Sequence, residues 1–286
     1  MSTLIKRFIF FALLMSSLFT GYFFYDRQFK LSNIKGNFPY VEVLERVEDL
    51  NELKNVFAQP FYFLDRGKQS YVFESQDKRY VVKFFDNRCL RSGKFSFFFS
   101  IKKKRCDKKL KLLFDGLQLA SQLGPETTGL LFVQLIPDSR LGIHAQLIDR
   151  FGFTHDIDLA TVPFAVQQKA IQLRSMITDL LNLGNVEEAV QHLDQVIDMY
   201  VEGYENGIVD LDHNFMYNTG FIGNRPIRID VGRLKYDEKI KNKQYYLEDL
   251  HKVFIGRLEK WLDRHFPQYK NVVVQEIQAK LRKISD

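Results

Sequence analysis

The stretch FYFLDRGKQSYVFESQDKRYVVKFF, residues 61–85, restricts the fold more than any other part of the chain. Aromatic and β-branched residues dominate it, with polar breaks at Asp65-Arg66-Gly67-Lys68 and Ser75-Gln76-Asp77-Lys78. Runs of that kind, separated by short turn-forming clusters, predict three consecutive antiparallel strands joined by two tight turns. The third strand carries a lysine in mid-run: Lys83 sits within Val-Val-Lys-Phe-Phe. An ammonium with such neighbours either snorkels to water along its stem or pairs with an anion.

The remaining pattern predicts where that sheet ends. Residues 27–60 read as a polar connector with a short helix over 41–57, closed by Pro60. FSFFFS at 95–100 and a basic block lead into a helix carrying Leu110, Leu113, Phe114 and Leu117, which Gly124-Pro125 stops. GLLFVQLI and HAQLIDR, 129–136 and 144–150, predict a hairpin of two more strands, five in all. Past Gly152 the apolar period becomes helical. Asn185 and Glu188 form an N-x-x-E capping pattern before an apolar face of Ala189, Val190, Leu193, Val196, Ile197 and Tyr200. A short strand pair over 219–229 turns at Gly223-Asn224-Arg225, and Tyr246 to Leu262 marks a last amphipathic helix. With 286 residues the chain is long enough for one large domain or two lobes. The expected class is α+β: a small antiparallel β lobe at 61–150 and a larger helical lobe at 151–286.

Two features point to a membrane. After Lys6 and Arg7, residues 8–25 (FIFFALLMSSLFTGYFFY) carry no charge, a length that spans a hydrocarbon core of roughly 30 Å as a helix. No small-residue cleavage pattern follows, and aromatic residues close the run, so 1–26 are expected to form an uncleaved, single-pass transmembrane anchor. The second feature is KKKRCDKKLK, with seven cationic side chains, Lys102, Lys103, Lys104, Arg105, Lys108, Lys109 and Lys111, in a chain of net charge +6. Such a block suits an anionic membrane surface; a solvated helix face is the plainer reading. No nucleic-acid-binding module accompanies it, so no nucleic-acid partner is expected. Cys89 and Cys106 are the only cysteines, too few for a metal site or a disulfide framework. Two free thiols are expected, a single disulfide being the alternative.

The chemistry concentrates in GIVDLDHNFMYNTGFIGNRPIRIDVG, 207–232, where Asp210, Asp212 and Asp230 sit at the edges of strand-like segments. Ionised carboxylates in such places are costly unless paired or bound to a metal. Taken singly, these acids are turn and cap residues.

Taken in order with Lys83 and the preceding strands, they resemble the protein-kinase-like superfamily, which includes protein, aminoglycoside and lipopolysaccharide-core kinases. The resemblance covers residues 60–265. It implies a bilobal fold, preceded here by the N-terminal helix, with ATP and Mg²⁺ as cofactors. Gly67 and Ser70 then correspond to the phosphate-facing loop of the first strand turn, which is poorer in glycine than the family's. Lys83 corresponds to the lysine on the α and β phosphates, and Asp115 stands where the family has a glutamate orienting that lysine. Asp212 corresponds to the catalytic aspartate, Asp210 to the family's histidine position, and Asn218 and Asp230 to the metal ligands. Asn218 follows Asp212 by six residues, one more than usual. A second register takes Asp210 as the base and Asn214 as a ligand. His213 is either a substrate contact or a turn residue.

The function implied is membrane-anchored, ATP/Mg-dependent phosphoryl transfer. No Ala-Pro-Glu motif follows Gly232, which favours a small-molecule, sugar or lipid-linked hydroxyl over a protein acceptor. The alternative is a catalytically inactive pseudokinase serving as a membrane-tethered binding or scaffold domain. ATP use places the soluble domain on the cytoplasmic side.

Overall fold

The computed structural model describes residues 3–26, 28–36, 38, 50–90 and 97–285. Helix α1, Thr3–Asp26, holds the uncharged run. Its large side chains Phe8, Phe10, Phe11, Leu13 and Phe19 are exposed. Among the described residues no helix is long and apolar enough to cross a membrane; the side chains at 20–26, which complete the run, lie outside those described. The helix expected over 41–57 is described only from Leu50 to Phe57, as α2.

Three strands follow as the alternation requires: β1 Phe61–Arg66, β2 Ser70–Ser75 and β3 Tyr80–Phe85, each antiparallel to the next. The long helix α3, Phe97–Leu123, is followed by the short α4, Pro125–Thr128. Then come β4 Leu130–Gln134, β5 His144–Ile148, β6 Thr154–Asp158 and β7 Phe164–Gln168. Together these seven strands form one sheet in the order β4-β7-β3-β2-β1-β5-β6.

Two expectations are corrected here. β4 and β5 are not a hairpin, because they lie in opposite halves of the sheet. Among the described residues β4 pairs only with β7, while β5 runs parallel to β1 and antiparallel to β6. The connection between them is a packed crossover, with Leu135, Leu141 and Ile143 buried, and alternation within a strand does not reveal such a path. The sheet also continues past residue 150 to Gln168, so the helical period starts later than expected. β7 is buried on both faces, a central strand whose apolar run imitates a buried helix segment.

The second half is mostly helical. A short β8, Ile171–Gln172, precedes α5 Leu173–Asn182 and α6 Val186–Glu205. Asn185 occupies the N-cap of α6, yet its side chain makes no capping hydrogen bond. After α6 come β9 Ile208–Asp210, α7 Phe215–Asn218, and the hairpin of β10 Thr219–Ile222 and β11 Arg225–Arg228. β12, Leu234–Tyr236, returns to pair with β9. α8 Lys243–Leu250 and α9 Gly256–His265 are joined through a π-helical turn, and α10 Lys270–Ser285 follows.

Each half has its own core. Phe61, Tyr71, Phe73, Phe84 and Phe164 fill the sheet side, where Phe29 of the connector packs edge-on to Tyr71 and Phe73 at 5.4 and 5.0 Å between centroids. Leu193, Ile197, Tyr200, Phe215, Phe254 and Leu258 fill the helical side. A third cluster joins them: Phe85 at the end of β3, Phe114 and Leu117 of α3, Ile208 of β9, and Val231. Fully burying a side chain such as Phe114 contributes on the order of 1.5–3 kcal/mol, and here it fixes α3 against the loops that carry the acids. Cys106 is buried on α3 and disulfide-bonded, which corrects the expectation of free thiols; the chain's other cysteine is Cys89.

Candidate functional site

The loop from α6 to β10 is shaped by one glycine. Gly207 has φ +78°, and a Cβ there would lie 2.7 Å from the Tyr236 ring, so conformation and packing both require glycine. This lets β9 leave α6 and pair with β12, setting Asp210 opposite Leu234. Asp210 is only 3% exposed, and its Oδ1 accepts the Asp212 backbone N–H at 2.8 Å. Burial pushes the Asp210 carboxyl up to about 6, against the Asp212 N–H and the Arg228 charge, with the charges of Asp230 and Asp212 pushing the same way as burial. Asp212 is only partly buried.

Asn218 ties the loop to the hairpin. Its Nδ2 donates to the Asp212 carbonyl at 3.0 Å, and its own carbonyl accepts the N–H groups of Ile229 at 2.8 Å and Asp230 at 3.3 Å. Asp212 and Asp230, eighteen residues apart in sequence, are therefore held through one buried asparagine. Asn214 sits at the N-cap of α7 without a side-chain capping bond; its carbonyl accepts from Tyr217 and Asn218. His213 lies beside Asp249, Nδ1 to Oδ1 3.8 Å, and Tyr204 donates its hydroxyl to the same carboxylate at 2.5 Å.

From the sheet side comes Lys83. β3 lies between β2 and β7, with Lys83 opposite Val72 and Ala165. Its Nζ donates to the carbonyl of Ile229 at 2.6 Å, a residue 146 positions away. Burial lowers the Lys83 pKa and the nearby Asp230 charge opposes that. Asp230 itself is exposed and accepts the Gly232 N–H on Oδ1 at 3.3 Å.

Asp115 does not join them. α3 meets the Asp230-Val231-Gly232 turn through Gly116, where a Cβ would be 2.6 Å from the Val231 carbonyl oxygen, and through Leu113, which lies against Gly232. One residue along a helix turns by about 100°, so Asp115, next to the contacting Gly116, is exposed. Gly116 is a residue shaping this turn that the sequence reading missed, and Leu113 was read there only as part of the helix's apolar face. A glycine inside a helix was the available signal, since it marks close backbone approach. Gly67 and Ser70 face each other across the β1–β2 turn, where the Gly67 N–H donates to the Ser70 carbonyl at 2.9 Å. Gly67 does not have a left-handed φ and a Cβ would make only ordinary contact, so this turn does not demand glycine.

Among the described residues no group of three or more His, Cys, Asp or Glu forms a metal cluster. The donor chemistry still fits a hard divalent cation. With its amide nitrogen committed to Asp212, Asn218 keeps Oδ1 as its remaining side-chain donor atom. Oδ2 of Asp230 takes no hydrogen bond among the described residues. Magnesium is held by one or two carboxylates together with water and phosphate oxygens, so a dedicated all-protein cage is not required.

No protein-family model matches the chain, and no curated protein matches it. Among solved structures it is similar to a co-crystal structure of WbdD and the kinase inhibitor LY294002, at 16% sequence identity and a TM-score of 0.42. The match covers 81% of this chain and 46% of that one, so the chain spans less than half the length of WbdD as crystallised.

Proposed function

We propose that this chain is a membrane-associated phosphotransferase that uses ATP and Mg²⁺ to phosphorylate a hydroxyl on a small molecule, sugar or lipid-linked acceptor. One observation carries this reading. Lys83 reaches from the middle of the sheet to the residue preceding Asp230, while Asn218 holds Asp230 and Asp212 in one hydrogen-bonded unit. The strand order β4-β7-β3-β2-β1, with α3 packed on the Asp230 turn, suits a kinase-like bilobal fold.

Lys83 has a protein carbonyl as its present partner and would exchange it for nucleotide phosphate oxygens. Asn218 Oδ1 and the Asp230 carboxylate would hold the cation, whose contribution is to neutralise charge on the phosphate oxygens. Asp212, the more accessible acid of the loop, would accept or orient the proton of the acceptor hydroxyl. Asp210 is too buried to meet a substrate; by accepting the Asp212 N–H it fixes the loop. This favours the register of Asp212 with Asn218 over that of Asp210 with Asn214.

A second reading, a pseudokinase that binds without transferring, is favoured by exposed Asp115 and by the ordinary conformation of Gly67. Isothermal titration with ATP, with and without Mg²⁺, followed by a turnover assay, separates the two. The expected result is Mg²⁺-dependent binding that Asp230→Ala abolishes, together with phosphate release or transfer. Binding without turnover supports the pseudokinase, and no binding with any divalent cation overturns both.

Membrane association is supported by the exposed apolar side chains of α1 and by the ridge of exposed cations on α3: Lys103, Lys104, Arg105, Lys108, Lys109 and Lys111. The side chains of Lys102 and of FSFFFS lie outside those described. A lipid-linked acceptor would meet a cleft held near the bilayer, with the nucleotide site on the cytoplasmic side.

A further inference from the structure

A cavity of about 490 Å³ lies between α4, α6 and β11, and none of Asp210, Asp212 and Asp230 lines it. Arg228, the last residue of β11, lines it and is only 2% exposed. The guanidinium carbon stands 4.4 Å from the centre of the Tyr200 ring, a favourable cation–π placement. Among the described residues, however, neither Nη1 nor Nη2 has a hydrogen-bond partner. Arg225, on the same strand and in the same cavity, pairs through Nη1 with Glu126, while its buried Nε has no acceptor.

Three buried guanidinium nitrogens thus lack acceptors around one cavity. A buried charge left without hydrogen-bonding partners is strongly unfavourable, and buried donors in native proteins are almost always satisfied by protein, water or ligand. The acids around the cavity do not supply the missing acceptors. Glu126 is bound by Arg225, Asp198 pairs with Lys280 at 2.6 Å, and among the described residues exposed Glu202 makes no ion pair with either arginine. Asp210, beyond the cavity lining, feels the Arg228 charge but makes no hydrogen bond to its Nη1 or Nη2, and its Oδ1 accepts the Asp212 N–H. The backbone has made room for the Arg228 group: a Cβ at Gly203 of α6 would lie 2.5 Å from Nη2.

We propose that this cavity binds a small hydroxylated organic oxyanion, a phosphate ester or carboxylate, at a site separate from the Lys83–Asp230 cleft. The Nη1/Nη2 fork of Arg228 matches two oxygens of one anionic group, which a lysine cannot do. Gln195, which also lines the cavity, adds a buried Oε1 that has no donor among the described residues, an acceptor suited to a ligand hydroxyl. Leu123, Met199, Ile208 and Pro226 supply apolar wall for a carbon skeleton. The volume is within the range of small-molecule sites, roughly 300–1,000 Å³, and larger than a bare phosphate needs.

The test titrates the full chain calorimetrically with inorganic phosphate, glycerol 3-phosphate, glycerate and glycerol. The expected order is glycerol 3-phosphate or glycerate above inorganic phosphate, with no heat from glycerol; the stronger of the two organic anions identifies the preferred charged group. Arg228→Lys keeps the charge but loses the fork and should weaken binding roughly tenfold or more. Arg225→Gln, at a part-exposed position, should weaken it by about threefold through loss of one donor, and it decides the matter if Arg228→Lys does not fold. Lys83→Met should leave this binding intact. Absence of binding by all three anions overturns the proposal, as does undiminished binding in the folded arginine variants or loss of binding in Lys83→Met.

Discussion

At the scale of single residues, burial distinguishes two aspartates separated by one leucine, and on the proposed function only Asp212 would serve as the base. Asp212→Asn keeps shape while removing a base, so turnover should fall by about 10²- to 10⁴-fold with nucleotide affinity unchanged. Asp210→Asn should be milder in kcat; the reverse order would give the base to Asp210. Asp210 also makes a prediction about stability. Burial lifts its carboxyl from the ordinary 3.8 to about 6 in the folded protein. Between those values the native state holds a proton that the unfolded chain has released. Stability from this group is therefore full below 3.8, falls as pH rises toward about 6, and is flat above. The expected loss is about 3 kcal/mol, and Asp210→Asn should remove that slope. Urea denaturation at several pH values measures it; an unchanged slope in the variant refutes the assignment.

At the scale of elements, the decisive contact is α3 on the Asp230-Val231-Gly232 turn. A methyl group on Gly116 would meet backbone at 2.6 Å, with no flexible side chain to move aside. Helix propensity alone gives Gly→Ala about 1 kcal/mol of stabilisation in a helix interior, whereas overpacking costs about 1–3 kcal/mol. Gly116→Ala should therefore be neutral to destabilising, and it should weaken Mg²⁺-dependent ATP binding by displacing Asp230. Stabilisation by the full propensity with unchanged ATP affinity would show that this contact does not position the site. The cationic side of α3 shows how one helix serves two ends: Cys106, Leu110, Phe114 and Leu117 turn inward while the lysines between them stay in water.

At the scale of the whole molecule, the proposed membrane association would rest on the exposed apolar side chains of α1 and the cations of α3. With α1 removed, the ridge alone should still bind anionic vesicles, at about 1 kcal/mol per cation near the surface, and should release them as salt shortens the screening length. Equal binding to neutral vesicles, measured by co-sedimentation, would refute an electrostatic contact. The sequence by itself determined the elements whose causes are local. The three strands of 61–85 follow from alternation and turn residues, the hairpin at 219–229 from Gly223-Asn224, and α6 from its apolar stripe. The acids of 207–232 were conspicuous for the same reason, since charge at the edge of apolar runs is visible in one dimension. What only the tertiary structure decided depends on contacts between distant segments. Alternation states which face of a strand is buried, not which strand lies beside it, so the crossover that parts β4 from β5 was not legible. A composition buried on both faces has no period, so β7 was hidden among helices. Asp115 had a suitable position along the chain, but a turn of about 100° per residue placed Gly116 on the packed face instead. The orphaned guanidinium of Arg228 exists only because α4, α6 and β11 enclose it without providing an acceptor.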